Sequence, residues 1–248
     1  MNSNTEIKLS ARMDAVIGLA GNGLCIADIG CDHALVSMAV VEWGLYDRAL
    51  AMDLREGPLS AAKKNILERG FADRIECRLS DGADGLKEKE CDAAIVAGMG
   101  GHLMISIIEK NIGKFKDLDR FVLQPQSDAE AVRRFLIAEG FCIVDEDMVF
   151  EDGKYYPMMA VEYRPEACGV RETDPEVYGD VAYIFGKCLI EKKHPVLQAY
   201  LEYREGIISG VIADIEQADM ETERKNARLY ELNRELELVR RGLCILKN

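Results

Sequence analysis

Two rhythms of apolar residues alternate along the first two thirds of this chain. Short apolar runs cover 24–29, 48–53, 74–79, 92–97 and 119–124, and segments with helical spacing of apolar positions fill 34–43, 57–69, 101–111 and 128–139. Gly or Asp stands at nearly every junction. Short apolar runs bounded by turn residues read as buried strands, and their alternation with amphipathic helices predicts a parallel sheet with helices on both faces. Ahead of the first run, residues 7–20 place Leu9, Met13, Val16, Ile17 and Ala20 on one helical face, with Ser10 near the start.

After the fifth unit the rhythm changes. Phe141 to Phe150 and Lys154 to Tyr163 are strand-like runs separated by Glu151-Asp152-Gly153, and Asp-Gly is a strong hairpin signal. A dinucleotide dehydrogenase would continue its sheet through a crossover helix instead. Residues 165–176 are rich in Pro, Gly, Glu and Asp and predict a linker. Beyond it, Leu197, Leu201, Arg204, Ile208, Val211, Ile215 and Ala218 form one heptad seam, and Leu229, Leu232, Leu236, Val239, Leu243 and Leu246 another. The short segment between them favours an antiparallel helical hairpin over a dimer zipper. The chain therefore reads as α/β: a sheet domain at 1–165 and a coiled-coil-like helical domain at 166–248.

Bulk composition narrows the class. With 248 residues, 48% of them hydrophobic, a large core is available, and no apolar run approaches the length of a membrane span. Residues 1–6 show no basic segment leading into an apolar one, so no signal peptide is expected. Eight cysteines without a Cys-x-x-Cys pair, beside only three histidines, argue against a metal site and for reduced, mostly buried thiols in a cytoplasmic protein. A monomer is expected. The net charge of −13 counts against nonspecific nucleic-acid binding but leaves room for a local basic patch. Residues 220–248 carry seven basic against five acidic side chains, with Arg224, Lys225 and Arg228 clustered. Those three are candidate substrate contacts, or solvated charges on a coiled-coil exterior. Lys114, Lys116, Arg133 and Arg134 are further basic candidates.

Candidate chemistry gathers where the apolar runs end. The first, Cys25-Ile26-Ala27-Asp28-Ile29-Gly30-Cys31-Asp32-His33-Ala34, closes in an acidic, glycine-containing turn. Gly30 lets backbone approach a ligand. Carboxylates suit sugar hydroxyls and an ammonium or sulfonium cation better than a pyrophosphate, which points to S-adenosylmethionine rather than a dinucleotide. Asp53-Leu54 ends the second run, where one carboxylate can accept from both ribose hydroxyls. Ser80-Asp81-Gly82 ends the third, with Asp81 placed for an adenine amino group. Ala97-Gly98-Met99-Gly100-Gly101 ends the fourth. Its glycines suit close ligand approach: Gly98 and Met99 to the cofactor, Gly100 and Gly101 to the substrate. In Leu123-Gln124-Pro125-Gln126, Gln124 either bonds a base edge or caps backbone. Lys8 and Arg12 lie one turn apart on the first helix, where they could meet a phosphate or the cofactor carboxylate, or simply form a solvated helix face. Each of these residues taken alone also reads as a turn or helix cap. Their convergence at the carboxyl ends of adjacent parallel strands carries the weight. Of the histidines, His33 stands near this crevice, His102 follows the glycines, and His194 precedes Pro195 as a structural residue.

Asp28-Ile29-Gly30-Cys31-Asp32-His33, Gly98-Met99-Gly100-Gly101 and Leu123-Gln124-Pro125, in this order and preceded by Leu9-Ser10-Ala11-Arg12, closely resemble the bacterial tRNA (adenine-22-N1)-methyltransferase family. Cys31 stands where that family commonly has Ser. The resemblance spans the first 165 residues and extends to the helical tail. It implies a Rossmann-like S-adenosylmethionine domain, a parallel sheet with a terminal antiparallel hairpin, followed by a coiled-coil-like helical domain. It also implies methyl transfer to N1 of adenine 22 in tRNA. In that chemistry N1 has a free lone pair and needs no base. Asp32 is then the candidate for stabilising charge that develops on the purine, with His33 beside it. The residues alone leave two alternatives: a methyltransferase of a small molecule or protein, and an S-adenosylmethionine-binding adaptor whose hairpin docks a partner.

Overall fold

The computed structural model describes residues 7–165, 179–218 and 221–247. The chain divides into two compact units, Met1–Gly169 and Val170–Asn248. From residue 166 onward, the linker expected at 165–176 lies outside the described residues, as do residues 1–6.

In the first unit, β1 (Gly23–Ile29), β2 (Tyr46–Asp53), β3 (Ile75–Leu79), β4 (Ala93–Gly100), β5 (Arg120–Ser127), β6 (Phe141–Glu151) and β7 (Lys154–Tyr163) form one sheet in the order β3-β2-β1-β4-β5-β7-β6. Strands β1 to β5 pair in parallel, and β7 runs antiparallel to both β5 and β6. The order reverses between β1 and β4, so the carboxyl ends of these two strands flank a crevice, the usual ligand position in open α/β sheets.

Both faces of the sheet are covered, which is why its strands are apolar almost without interruption. Ile26, Ala49 and Ala51 face α1 (Ala11–Ala20), α2 (Leu35–Glu42) and α3 (Glu56–Glu68). The alternate residues Cys25, Ala27, Leu50 and Met52 face α4 (Gly101–Lys110), α5 (Ile112–Asp117) and α6 (Ala129–Ala138). Phe115, Phe121, Phe141 and Tyr163 continue the second layer as successive edge-to-face rings 5.1 to 5.4 Å apart. Asp152 and Gly153 both take positive φ, 49° and 76°, at the hairpin tip, as a two-residue turn matched to strand twist requires.

Two expectations are corrected here, for Arg133 and Cys142. Arg133 is buried in an ion pair with Glu146, 2.8 Å from Nε to Oε1, and is no RNA-facing cation. Lys114 donates to the carbonyls of Ala83 and Asp84, Lys116 sits over the Tyr163 ring, and Arg134 pairs with Glu130. Cys142 is disulfide-bonded rather than a free thiol.

The second unit contains α7 (Asp180–Phe185), α8 (Lys187–Glu191), α9 (Pro195–Gln217) and α10 (Thr222–Lys247). His194 caps α9, its Nδ1 accepting from the Val196 N–H. Leu197, Leu201 and Ile208 of α9 and Leu232, Leu236, Val239 and Leu243 of α10 are buried, the two helices pack against each other, and ion pairs Arg204–Glu235 and Glu205–Arg240 run along the antiparallel hairpin. Gly242 permits the close crossing, since a β-carbon there would sit 3.1 Å from Leu201 and 3.3 Å from Phe185. Seam residues toward the loop, Val211, Ile215 and Leu229, are only half-buried. Among the described residues, no helix is long and apolar enough to cross a membrane, and no group of three His, Cys, Asp or Glu is placed to hold a metal ion.

Candidate active site

The ends of β1 and β2 are tied together by an unusual turn. Gly30, Asp32 and Ala34 all have positive φ, 81°, 48° and 59°. Left-handed backbone is ordinary for Gly, tolerable for Asp and costly for Ala. The turn is held by its amides: Gly30 and Cys31 N–H both donate to the Met52 carbonyl, at 2.8 and 2.9 Å, and Ala34 N–H donates to the Cys31 carbonyl at 2.7 Å. Asp53 completes it, one oxygen accepting from the Asp32 N–H at 3.3 Å and the other from the Arg55 N–H at 2.9 Å. Strain of this kind persists where surrounding structure over-determines it, commonly at ligand sites.

Asp28 and Asp53 are both buried, 6% and 5% exposed. Oδ2 of Asp28 accepts from the Ser37 hydroxyl at 2.6 Å and the Ser37 N–H at 3.2 Å, which seats a negative charge on the first turn of α2. Burial nevertheless pushes the Asp28 carboxyl up to about 6, with nearby Asp53 adding to the effect against the Ser37 bonds. Burial, together with Asp28 and Asp53, also raises the Cys31 thiol far above its usual range, so Cys31 is protonated and no nucleophile.

These carboxylates open onto one cavity of about 670 Å³, within the range of small-molecule and cofactor sites. The expected catalytic pair, Asp32 and His33, lines it, with His33 Nε2 3.7 Å from Asp32 Oδ2 and both side chains more than half exposed. So do the expected cofactor residues Arg12, Asp28, Gly30, Asp53, Leu54, Asp81, Gly82, Gly98 and Met99. At Gly30 a β-carbon would meet the Met99 methyl at 2.3 Å, and at Gly82 it would meet Ile107 at 2.8 Å. Their glycines keep the floor of the cavity low. Arg12 reaches the wall with its cation already engaged. Its Nε pairs with Glu151 at 3.3 Å, one terminal nitrogen donates to Gln124 at 2.8 Å, and the guanidinium lies over the Tyr156 ring. The Arg12 N–H also donates to Glu151, which holds that carboxyl below its usual range.

Three expected substrate residues are displaced from the wall. Gln124 is fully buried. Its Oε1 accepts from Arg12 and from the Gly98 N–H at 3.2 Å, while Nε2 donates to the Pro125 carbonyl, so the whole amide serves as scaffold. Gly101 is buried, and a β-carbon there would lie 2.6 Å from the Ser127 carbonyl oxygen. Its small size serves packing between β4 and the turn after β5. Gly100 is half-buried against the Ser127 hydroxyl. In the second unit, Lys225 donates to the carbonyls of Glu216 and Ala218 and thereby caps α9, and Arg228 pairs with Glu231. Arg224 is exposed. Sequence reasoning did not single out Gln126, Ser80, Leu103 or Ile107, which line the cavity, nor Glu151, which anchors Arg12. His102 is exposed, 3.9 Å from Asp128.

Comparison with known proteins agrees with this geometry. Residues 9–159 match the family model described as a methyltransferase domain. The chain is 30% identical over 236 residues, 95% of its own length and 97% of the relative's, to the tRNA (adenine(22)-N(1))-methyltransferase of Bacillus subtilis strain 168. The crystal structure of the B. subtilis M1A22 tRNA methyltransferase TrmK superposes with a TM-score of 0.80 at 29% identity, covering 96% of this chain and all of that one. Streptococcus pneumoniae Sp1610 in complex with S-adenosyl-L-methionine superposes with a TM-score of 0.79 at 25% identity, covering 95% of this chain and all of that one.

Proposed function

The chain belongs to the tRNA (adenine(22)-N(1))-methyltransferase family, and from that premise we propose how its own residues serve the reaction. The protein is an S-adenosylmethionine-dependent methyltransferase that acts on N1 of adenine 22 in tRNA. The observation that carries the residue assignment is the meeting of two buried carboxylates, Asp28 and Asp53, on one cavity at the reversal of strand order.

The residues fit this cofactor. Asp28 is a buried carboxylate with no cation of its own among its hydrogen-bond partners, and it would receive the ammonium of the methionine moiety. Asp53 has lone pairs beyond those taken by the Asp32 and Arg55 amides, enough for two ribose hydroxyls. Asp81, with Leu54 and Ile107 on the same wall, would hold the adenine, and Gly30, Gly98 and Met99 would form the floor. Arg12 acts through Gln124 and Glu151 to set the Gly98 backbone. S-adenosylmethionine supplies an activated methyl group on a sulfonium. Adenine N1 carries its own lone pair, so the task left to the protein is alignment. Asp32 would stabilise positive charge as it passes to the purine, with His33 orienting its carboxylate. Because the Asp32 side chain is largely exposed, water screens it and its share of the rate is modest. N1 lies on the pairing edge, so adenine 22 must enter unpaired or flipped. The exposed Arg224 and Arg228 of α10 would meet the tRNA backbone, and the reaction takes place on cytoplasmic tRNA.

The cofactor assignment has a pH signature. In the free protein Asp28 is neutral below about pH 6 and offers an ammonium no counter-charge. S-adenosylmethionine affinity therefore falls about tenfold per pH unit below that point, and Asp28→Asn binds weakly at every pH with no such slope. Calorimetric titration between pH 5 and 8 checks this, and a wild-type affinity flat across that window removes the assignment. The fold responds in the opposite sense. A carboxyl whose folded value is raised contributes stability below its unfolded range and loses it as pH rises through about 6. The substrate half is tested by treating unmodified tRNA with the protein and identifying the methylated nucleoside.

A further inference from the structure

The cavity has two sides with different chemistry. Its carboxylates Asp28, Asp32, Asp53 and Asp81 come from the ends of β1, β2 and β3. Across the Gly98-Met99 backbone of β4, the wall is supplied by the end of β5, and there the lining residue is Gln126. A cofactor held by the carboxylates occupies the β1–β3 side, which leaves the side of β4 and β5, and the wall from Lys8 to Met13, to the methyl acceptor.

Gln124 and Gln126 divide the work of this strand end. Gln124 is buried and holds Arg12 and the Gly98 N–H. Gln126 is exposed on the cavity wall, and its Nε2 lies 3.8 Å from where a β-carbon on Gly98 would stand. Gly98 has φ of 76° and leaves the space in front of that amide open. Gln126 is also the one carboxamide among the residues lining the cavity. A carboxamide presents one acceptor and donors side by side. The Hoogsteen edge of adenine presents the complement, an N6–H donor beside the N7 acceptor, and Gln to adenine N6 and N7 is a standard bidentate pair.

We propose that Gln126 is the specificity-determining residue for the target base: its Oε1 accepts from N6–H and its Nε2 donates to N7, which leaves N1 free to face the methyl donor. This rests on the tRNA-adenine reading above. The pair has two consequences. As the methyl group arrives, positive charge spreads from N1 to the exocyclic nitrogen, N6–H becomes a stronger donor, and its bond to Oε1 tightens in the transition state. A guanine turned the same way sets its O6 against Oε1, an unpaired contact in a confined site.

The test is a cycle of one protein change and one base change, read as the single-turnover rate at saturating S-adenosylmethionine. Wild type and Gln126→Ala are each given tRNA with adenosine or 7-deazaadenosine at position 22. Wild type should lose about tenfold on the 7-deaza substrate, the worth of one well-made hydrogen bond. Gln126→Ala should lose about tenfold or more on adenosine and show no further loss on 7-deazaadenosine, because the partner of N7 is already gone. Gln126→Asn, one methylene shorter, should behave like the alanine variant. Calorimetric S-adenosylmethionine affinity should be unchanged in both variants, which separates base reading from a damaged cofactor site. An equal 7-deaza effect in wild type and Gln126→Ala overturns the proposal, as does a wild type indifferent to N7. A wild type that binds S-adenosylmethionine yet leaves natural tRNA unmethylated contradicts the tRNA reading itself, and the base assignment falls with it.

Discussion

Replacing Asp53 by alanine should weaken S-adenosylmethionine binding at least about 100-fold. The carboxylate is the acceptor we assign to both ribose hydroxyls, and hydrogen bonds to a charged group contribute about 1.5–3 kcal/mol each. The loss has a second source. Asp53 also holds the Asp32 and Arg55 amides, so its removal frees the left-handed turn that shapes the cavity floor. Asp53→Asn should fall between, because it keeps the side-chain volume and one acceptor oxygen. Calorimetric titration at pH 7.5 measures both, and an affinity equal to wild type for Asp53→Ala removes the ribose assignment.

Gly101→Ala should lower the melting temperature by about 6–12 °C. The added methyl would meet two backbone oxygens, Ser127 at 2.6 Å and Asp128 at 2.9 Å, and neither can rotate away. Overpacking typically costs about 1–3 kcal/mol, and two fixed backbone oxygens put this change at the upper end, about 3 kcal/mol; about 2–4 °C follows per kcal/mol in a chain of this size. Gly100→Ala is the control. Its methyl would stand 3.4 Å from the Ser127 hydroxyl, which can turn aside, so its melting temperature should stay near wild type. Equal thermal melts for the two variants would show that β4 and the turn after β5 separate freely, against the packing described here.

These two residues also show what the sequence makes visible. Asp53 could be picked out because it closes an apolar run, and every parallel strand delivers its last residue to the same edge of the sheet. The alternation of strands and helices was readable for the same reason: buried strands and amphipathic helices differ in period. Gly101 looked like Gly98, yet the neighbour that demands its small size lies 26 residues away, beyond any local pattern. Gln124 and Gln126 share a strand and a parity, and only depth separates them. Gln124 pairs with Ala97 inside the sheet, while Gln126 sits past the point where the register of β4 shifts. The Arg12–Glu151 pair joins residues 139 apart, and Lys225 caps a helix that precedes its own. Such partners are set by topology, which composition and spacing do not encode. The six-residue α5 was missed because it is too short to display a helical period.

The central claim is that this chain methylates N1 of adenine 22, and nucleoside analysis tests it most directly. Purified protein is incubated with S-adenosylmethionine and unmodified tRNA, the RNA is digested, and the methylated nucleoside is identified and mapped by mass spectrometry. The account predicts 1-methyladenosine at position 22, absent when adenine 22 is replaced by guanine. Methylation at another position or atom, or none with any of several tRNAs despite measurable S-adenosylmethionine binding, would contradict it.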